Sequence, residues 1–221
     1  MTCCGKVICS GCYYAPLYDD QGNIVAEKKC PFCRTPHPKT NEEVIKRLNK
    51  RVEASDAEAM YTLGGFYRNG KGGYPQDHKK ALELYHRAGE LGYAKAYVCI
   101  GYAYDFGLGV EQDKSKAKYY YELAAIGGDV EGRFNLASTE FQANNADRAL
   151  KHHLIAVGCG SSHSLNTIKN YVNAIKNYAY SYGHGKEEYY TKALQYQTYV
   201  SEITSVQRDE AAAANDNYRY Y

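Results

Sequence analysis

The chain has 221 residues, and 27 lysines and arginines stand against 25 aspartates and glutamates, which gives a formal net charge of +2. This near balance argues against a broad nucleic-acid-binding face, and no stretch is long and apolar enough to span a membrane. Six of the eight cysteines fall within residues 3–33. In a reducing compartment, cytoplasmic or nuclear, such clustering favours metal ligands over disulfides.

The first predicted element is a zinc-binding segment over residues 1–40. It contains two Cys-x-x-Cys pairs, which begin at Cys9 and Cys30 and are separated by 17 residues. Zinc takes four thiolate or imidazole ligands in a tetrahedron, and each pair has the spacing of a tight knuckle around one ion. A thiol–disulfide role is disfavoured, because no β-α-β pattern surrounds the pairs. The candidate zinc ligands are Cys3, Cys4, Cys9, Cys12, Cys30 and Cys33.

This cysteine order resembles the last three-quarters of a RING finger, a family whose eight ligands hold two zinc ions. The resemblance matches the Cys9 pair with the third ligand pair and the Cys30 pair with the fourth. Lys6 stands where the second pair has its usual histidine, and the first pair is absent. Two ions are therefore expected only if an upstream Cys-x-x-Cys completes the RING. Otherwise one zinc ion is expected, on Cys3, Cys4, Cys30 and Cys33.

The incomplete RING pattern leads to two further expectations. We expect that the chain starts at an internal methionine and lacks a few dozen upstream residues. Arg34 directly follows the last cysteine, where RING ligases place a basic residue that bridges the conjugating enzyme and ubiquitin. The alternative function that the resemblance implies is a RING-type ubiquitin transferase, which positions a ubiquitin-conjugating enzyme and has no nucleophile of its own.

A connecting helix is predicted over residues 41–55. A linker with two prolines precedes it, and Asn41 is the expected N-cap before two glutamates. The apolar stripe of this helix consists of Val44, Ile45, Leu48 and Val52. At the other end of the chain, residues 205–221 are expected to form a fraying helix and a disordered tail.

An internal repeat occupies the middle of the chain. Six residues recur 37 positions later, so that Ala59, Leu63, Gly64, Tyr67, Gly70 and Gly72 return as Ala96, Ile100, Gly101, Tyr104, Gly107 and Gly109. Six more recur 36 positions later, so that Asp77, Lys80, Ala81, Tyr85, Ala88 and Gly92 return as Asp113, Lys116, Ala117, Tyr121, Ala124 and Gly128. Residues four apart share a helix face, aspartate favours a helix start and glycine a helix end. Each unit is therefore predicted to be two helices packed through these recurring residues.

Two further units follow with weaker patterns. The third has Leu136 and Ala137 in its first helix, and a turn at 144–147 replaces the Gly-x-Gly loop. Its second helix repeats the pattern at an offset of 32, with Ala149, His153, Ala156 and Gly160. The fourth opens with Ser164 and Ile168. The predicted units are about 56–92, 93–128, 129–160 and 161–204.

This pattern resembles the Sel-one-like repeat, a relative of the tetratricopeptide repeats. The resemblance covers about 140 residues and implies an all-α fold, a right-handed α/α solenoid of helix pairs over residues 56–204. It also implies a scaffold that binds another protein or peptide. Because phosphate-binding, zinc-protease and serine-hydrolase motifs are missing from the sequence, the favoured function is a non-catalytic adaptor.

Candidate binding residues lie opposite the packing stripe of each first helix. Aromatic residues and arginine are the types enriched at binding hot spots. The alternative is that neighbouring units bury these side chains. The groove candidates are Tyr61, Arg68, Tyr102, Asp105 and Phe134.

Overall fold

The computed structural model describes residues 38–182, with side chains up to Asn173, and in addition Gln21, Pro36, Thr198, Ser201 and Glu202. Within 38–182 the chain forms eight helices, which we number in chain order. They are α1 Asn41–Glu53, α2 Ala57–Asn69, α3 His78–Glu90, α4 Ala94–Phe106, α5 Lys114–Ile126, α6 Val130–Gln142, α7 Ala146–Gly158 and α8 Ser162–Tyr182. The predicted zinc ligands, Arg34 and the C-terminal tail lie outside the described residues.

The helices pack in chain order as pairs. Helix α2 packs against α3 and α6 against α7, and α1, α4 and α8 pack against α2, α3 and α7 respectively. The chain divides into two compact units, Met1–Ala117 and Lys118–Tyr221, and the division falls within α5. The prediction of two helices per repeat is confirmed.

Aspartate side chains start four of the helices. The Oδ1 atom of Asp77 accepts a hydrogen bond of 3.0 Å from the Lys80 amide, and Asp113 accepts the equivalent bond from Lys116. Both predicted N-caps are confirmed. Asp56 and Asp129 cap α2 and α6 in the same way. These contacts satisfy amides that have no partner within the helix.

The start of α1 differs from the prediction. Thr40 is the N-cap, and its hydroxyl accepts from the Glu43 amide at 3.2 Å, whereas Asn41 is the first helical residue. Glu43 in turn accepts from the Lys39 amide at 2.8 Å. A capping box has a similar reciprocal pattern, except that its glutamate accepts from the amide of the N-cap residue, whereas Glu43 accepts from the residue before it.

Glycine ends the first helix of the first two repeats, as predicted. Gly70 and Gly107 have φ angles of 62° and 70°, a left-handed conformation in which glycine carries no steric penalty. In the third pair, Asn144 takes the left-handed conformation, with φ of 60°, in the turn that replaces this loop.

Small residues bring the helices of a pair close together. A Cβ atom on Gly64 would lie 2.7 Å from Cε1 of Tyr85, which is itself only 3% exposed. The predicted packing stripe is buried in each described pair, including Ala59, Ala81, Ile100, Tyr121, Leu136 and Ala156. Tyr67 and its counterpart Tyr104 remain only partly buried, and the Tyr67 ring centroid lies 4.8 Å from that of Tyr74.

Candidate functional site

Two of the predicted groove residues, Tyr61 and Arg68, take part in packing around Cys99 in the first unit. Arg68 Nη1 lies 3.9 Å from the Cys99 sulfur, and the Tyr61 ring lies 5.7 Å from that of Tyr85. Burial, reinforced by Cys99, raises the pKa of the Tyr61 hydroxyl well above its usual range. A cavity of only about 10 Å³ remains among Arg68, Tyr85 and Cys99. These contacts leave Tyr61 and Arg68 partly buried.

Tyr102, in contrast, lies on the surface of α4. It is 44% exposed, and its ring centroid lies 4.4 Å from that of Phe106, which is 57% exposed. The two side chains form a contiguous exposed aromatic pair, which we call the α4 aromatic pair. Phe106 was missed in the sequence because the repeat has asparagine, Asn69, at the same position of α2.

A charged contact borders the α4 aromatic pair. Asp105 Oδ1 lies 2.6 Å from Lys114 Nζ, and the same ammonium group lies 5.7 Å from the Phe106 ring centroid. Gln112 donates to the Asp105 carbonyl at 2.7 Å, as Gln76 donates to the Arg68 carbonyl at 3.0 Å one repeat earlier. Asp105 is therefore held in place beside the two exposed rings.

The fifth groove candidate, Phe134, lies in the second unit. It is partly buried, and its ring centroid lies 5.4 Å from that of His153 and 6.0 Å from that of His163. Four of the groove candidates therefore belong to the first compact unit, and Phe134 belongs to the second.

The second unit contains a larger cavity, of about 320 Å³, at the junction of α6, α7 and α8. Phe141, which is 54% exposed, lies at its rim, and His153, which is 5% exposed, lines it with Leu150 and Ile168. The remaining described wall residues are Ser138, Gln142, Ala146, Ala149, Thr167 and Tyr171. The repeat spacing places Phe141 opposite the packing stripe, 73 residues after Arg68, so its position was open to prediction from the sequence.

His153 is held as a neutral ring in this wall. Its Nδ1 atom lies 3.2 Å from the Ser164 hydroxyl, which is fully buried. Burial, with a smaller contribution from His152, lowers the pKa of His153 to about 4. The imidazole can therefore exchange hydrogen bonds at neutral pH without carrying a charge.

A buried carboxylate lies at the end of α6. Glu140 is 2% exposed, and its Oε1 atom lies 2.7 Å from Lys118 Nζ and 3.9 Å from Arg148 Nη1. Asn145 donates to the other carboxylate oxygen at 2.8 Å. Lys118 and Asn145 hold the pKa of Glu140 below its usual range against the effect of burial. Its surroundings are those of a structural ion pair.

Within the described part of the chain, no group of three or more His, Cys, Asp or Glu side chains is arranged to hold a metal ion. No helix among the same residues has the length and hydropathy needed to cross a bilayer. The candidate ligands Cys3, Cys4, Cys9, Cys12, Cys30 and Cys33 and the contact residue Arg34 fall on residues that the structure does not describe.

A family model described as the Sel1 repeat matches residues 57–93, 94–129 and 167–196. The first two segments coincide with the pairs α2–α3 and α4–α5, and the pair α6–α7 lies between the second and third segments.

Three curated proteins give the sequence context. The chain is 30% identical over 112 residues to "ERAD-associated E3 ubiquitin-protein ligase component HRD3B" of Arabidopsis thaliana, which covers 50% of this chain and 17% of that protein. It is 34% identical over 80 residues to "Chitin synthase regulatory factor 3" of Schizosaccharomyces pombe, 36% of this chain and 9% of that protein. It is 28% identical over 92 residues to "Protein sel-1 homolog 2" of Homo sapiens, 42% of this chain and 13% of that protein. The chain thus spans less than a fifth of the length of these relatives.

Two solved structures give the fold context. A Sel1 repeat protein from Oxalobacter formigenes is similar with a TM-score of 0.56 and 26% identity, over 73% of this chain and 64% of that chain. The protective antigen c5321 from uropathogenic Escherichia coli, described as displaying an SLR fold, has a TM-score of 0.56 and 20% identity, over 73% of this chain and 34% of that chain.

Proposed function

We propose that this chain, which matches the Sel1 repeat model in three segments and folds as an all-helical solenoid of helix pairs, is a non-catalytic adaptor that binds another polypeptide through exposed side chains of its repeats. The observation that carries the proposal is the α4 aromatic pair. Tyr102 and Phe106 lie in contact and are exposed on one helix, beside the ion pair of Asp105 and Lys114. Contiguous exposed apolar surface with a polar border is typical of protein-binding sites.

Each groove candidate has a different part in this proposal. Tyr102 supplies contact area, and Asp105 with Lys114 supplies the polar border. Tyr61 and Arg68 support the surface from below through Cys99 and Tyr85. Phe134 belongs to the second unit, where a partner polypeptide would meet it independently.

A selection from a random peptide library on the full chain tests the proposal. Peptides selected by the wild-type protein should bind the double variant Tyr102→Ala, Phe106→Ala at least about tenfold more weakly, because hot-spot aromatic residues carry most of the binding energy. Tyr119→Ala is the matched control, since Tyr119 is also exposed, at 54%, but belongs to another helix. Peptides that bind all three proteins equally would contradict the proposal.

For the N-terminal segment we propose a zinc-binding module. Four thiolates are a donor set that fits tetrahedral zinc, and Cys3, Cys4, Cys30 and Cys33 would hold one ion. Cys9 and Cys12 would contribute half of a second site. Zinc in this module would supply folding free energy and no reaction step.

A second candidate function, RING-type ubiquitin transfer with Arg34 at the conjugating enzyme, is favoured by the two Cys-x-x-Cys pairs. A component of a ubiquitin ligase is also among the similar proteins. Native mass spectrometry with a transfer assay separates the two functions. Two zinc ions per chain with ubiquitin transfer would support the ligase, whereas zero or one ion without transfer would leave the adaptor.

A further inference from the structure

The cavity of the second unit lies at a repeat position that the first unit fills. Six wall residues of the 320 Å³ cavity lie 68 positions after residues that surround the 10 Å³ cavity. The corresponding pairs are His78 and Ala146, Ala81 and Ala149, Leu82 and Leu150, Tyr85 and His153, Cys99 and Thr167, and Ala103 and Tyr171.

Two of these differences open the space. Tyr85 becomes His153, which replaces a phenol ring by a shorter imidazole, and His78 becomes Ala146, which removes a ring altogether. Tyr171 in place of Ala103 adds a ring, yet the volume still rises from about 10 to about 320 Å³. The second unit therefore lacks the aromatic filling that Tyr85 gives to the first.

The described wall residues are uncharged, and two of their hydroxyl groups are bonded within their own helices. The Ser138 hydroxyl donates to the Phe134 carbonyl at 3.1 Å, and the Thr167 hydroxyl donates to the His163 carbonyl at 3.0 Å, so both are satisfied within their own helices. No lysine, arginine, aspartate or glutamate is among the described wall residues. A charged ligand would be desolvated here without a counter-charge, so charge complementarity selects a neutral one.

His153 is the most deeply buried polar side chain among the described wall residues. Its Nδ1 atom pairs with the Ser164 hydroxyl, and the described hydrogen bonds of His153 include none at Nε2. In the tautomer in which the Ser164 hydroxyl donates to Nδ1, the ring proton sits on Nε2. Nε2–H then has a hydrogen bond to give to an oxygen atom of a ligand.

We propose that this cavity binds the tyrosine side chain of a partner polypeptide, with the phenol oxygen accepting a hydrogen bond from His153 Nε2. The partner ring takes the place that Tyr85 fills in the first unit. The volume suffices, because a cavity of about 150 Å³ already holds a benzene ring. The exposed Phe141 covers the ring at the rim. That the tyrosine comes from a polypeptide rests on the proposed adaptor function, whereas binding of the ring does not.

The test uses N-acetyl-tyrosinamide as the probe and the full chain, with methyl NMR signals of Leu150 and Ile168 as the readout. We expect saturable shifts with the probe and about fivefold weaker binding of N-acetyl-phenylalaninamide, which lacks the oxygen and so forfeits one hydrogen bond. N-acetyl-phosphotyrosinamide should not bind. No saturable shift, or equal affinity for the tyrosine and phenylalanine probes, would overturn the proposal.

Three variants locate the binding. His153→Tyr restores the residue of the other repeats, fills the cavity and should abolish binding of the probe while the helical signal is kept. Phe141→Ala removes an exposed wall and should weaken binding severalfold even if His153→Tyr does not fold. Ile155→Ala is the matched control on the same helix, because Ile155 is 48% exposed and does not line the cavity. Unchanged binding in Phe141→Ala and in a folded His153→Tyr would contradict the assignment.

Other occupants give different results. In one such outcome, the probe binds only after Tyr218, Tyr220 and Tyr221 are changed to alanine. That result would assign the cavity to a C-terminal tyrosine of this chain and would overturn the proposal of a partner polypeptide. Binding that falls as the protein self-associates would assign it to a second copy. The amide probe reports on the cavity alone, so its result stands or falls separately from peptide binding at the α4 aromatic pair.

Discussion

Glu140 is a buried carboxylate whose partners differ in exposure. Lys118 lies 2.7 Å away and is one-third exposed, whereas Arg148 lies 3.9 Å away and is 70% exposed. Lys118→Ala would leave the carboxylate with Asn145 and a distant arginine. We expect a loss of about 1–3 kcal/mol in the free energy of unfolding, because a buried charge without its partner is strongly unfavourable. Urea denaturation at neutral pH measures this loss.

Arg148→Ala is the control for the Glu140 prediction. A largely exposed ion pair contributes at most a few tenths of a kcal/mol, so this variant should unfold at nearly the wild-type urea concentration. Equal losses in the two variants would contradict the prediction, because the closer and less exposed Lys118 should contribute more than Arg148.

His153 makes the stability of the second unit depend on pH. Burial lowers the pKa of His153 to about 4 in the folded protein, below the ordinary value of 6.5. The unfolded chain therefore binds more protons between these values, and stability falls as the pH drops from about 6.5 to about 4. The full effect is on the order of 3 kcal/mol. The slope of unfolding free energy against pH, measured by urea titration, checks it.

The variant His153→Phe removes this titration and should flatten the slope in that pH range. His86 and His152 also have lowered pKa values, caused first by burial, so a smaller slope should remain in the variant. Glu140, with its lowered pKa, loses its contribution only at more acidic pH, as its carboxylate protonates. An identical slope in wild type and His153→Phe would refute the assignment.

At the scale of the helix pair, two adjacent glycines separate packing from helix propensity. A Cβ atom at position 64 would lie 2.7 Å from the Tyr85 ring, whereas at position 65 the nearest atom of Tyr85 is 3.9 Å away. Gly64→Ala should therefore lower stability by about 1–3 kcal/mol through overpacking. Gly65→Ala should be neutral or stabilising by up to about 1 kcal/mol, because alanine favours the helix. Thermal unfolding of both variants compares them, and equal effects would exclude close packing at Gly64.

The helices themselves were predictable because their signals are local. Asp77, Asp113, Gly70 and Gly107 act within a few residues of their own position, so the sequence alone locates these helix ends. The cavity was not found, since it arises from side chains of three helices together. Comparison of His153 with Tyr85 at the repeat offset shows a smaller ring, but only the packed structure shows that no other described residue fills the space.

The exposure of the groove candidates could not be read from helical position. Tyr102 and Tyr61 occupy nearly the same side of their helices, yet Tyr102 is exposed and Tyr61 packs between Tyr85 and Tyr93. Which of the two is covered depends on the neighbouring helix, and a helical period says nothing about that neighbour. At the scale of the repeat, equivalent positions therefore have different surroundings.

At the scale of the whole chain, the described helices contain their own sources of stability. Their ends are capped by side chains of the repeat itself, as at Asp129, and their cores are apolar, as at Ile168. Among the described residues no cluster is arranged to hold a metal. Folding of the repeats should therefore not require zinc, even though the N-terminal module that we propose would depend on it.

Removal of metal by an excess of EDTA tests this independence in the full chain. We expect the helical circular dichroism signal to persist and the midpoint of thermal unfolding to shift by less than about 2 °C, which corresponds to less than about 1 kcal/mol for a chain of this length. The double variant Cys30→Ser, Cys33→Ser should unfold at the same midpoint without chelator. A large fall in the midpoint in either experiment would mean that the cysteine segment and the repeats fold as one cooperative unit.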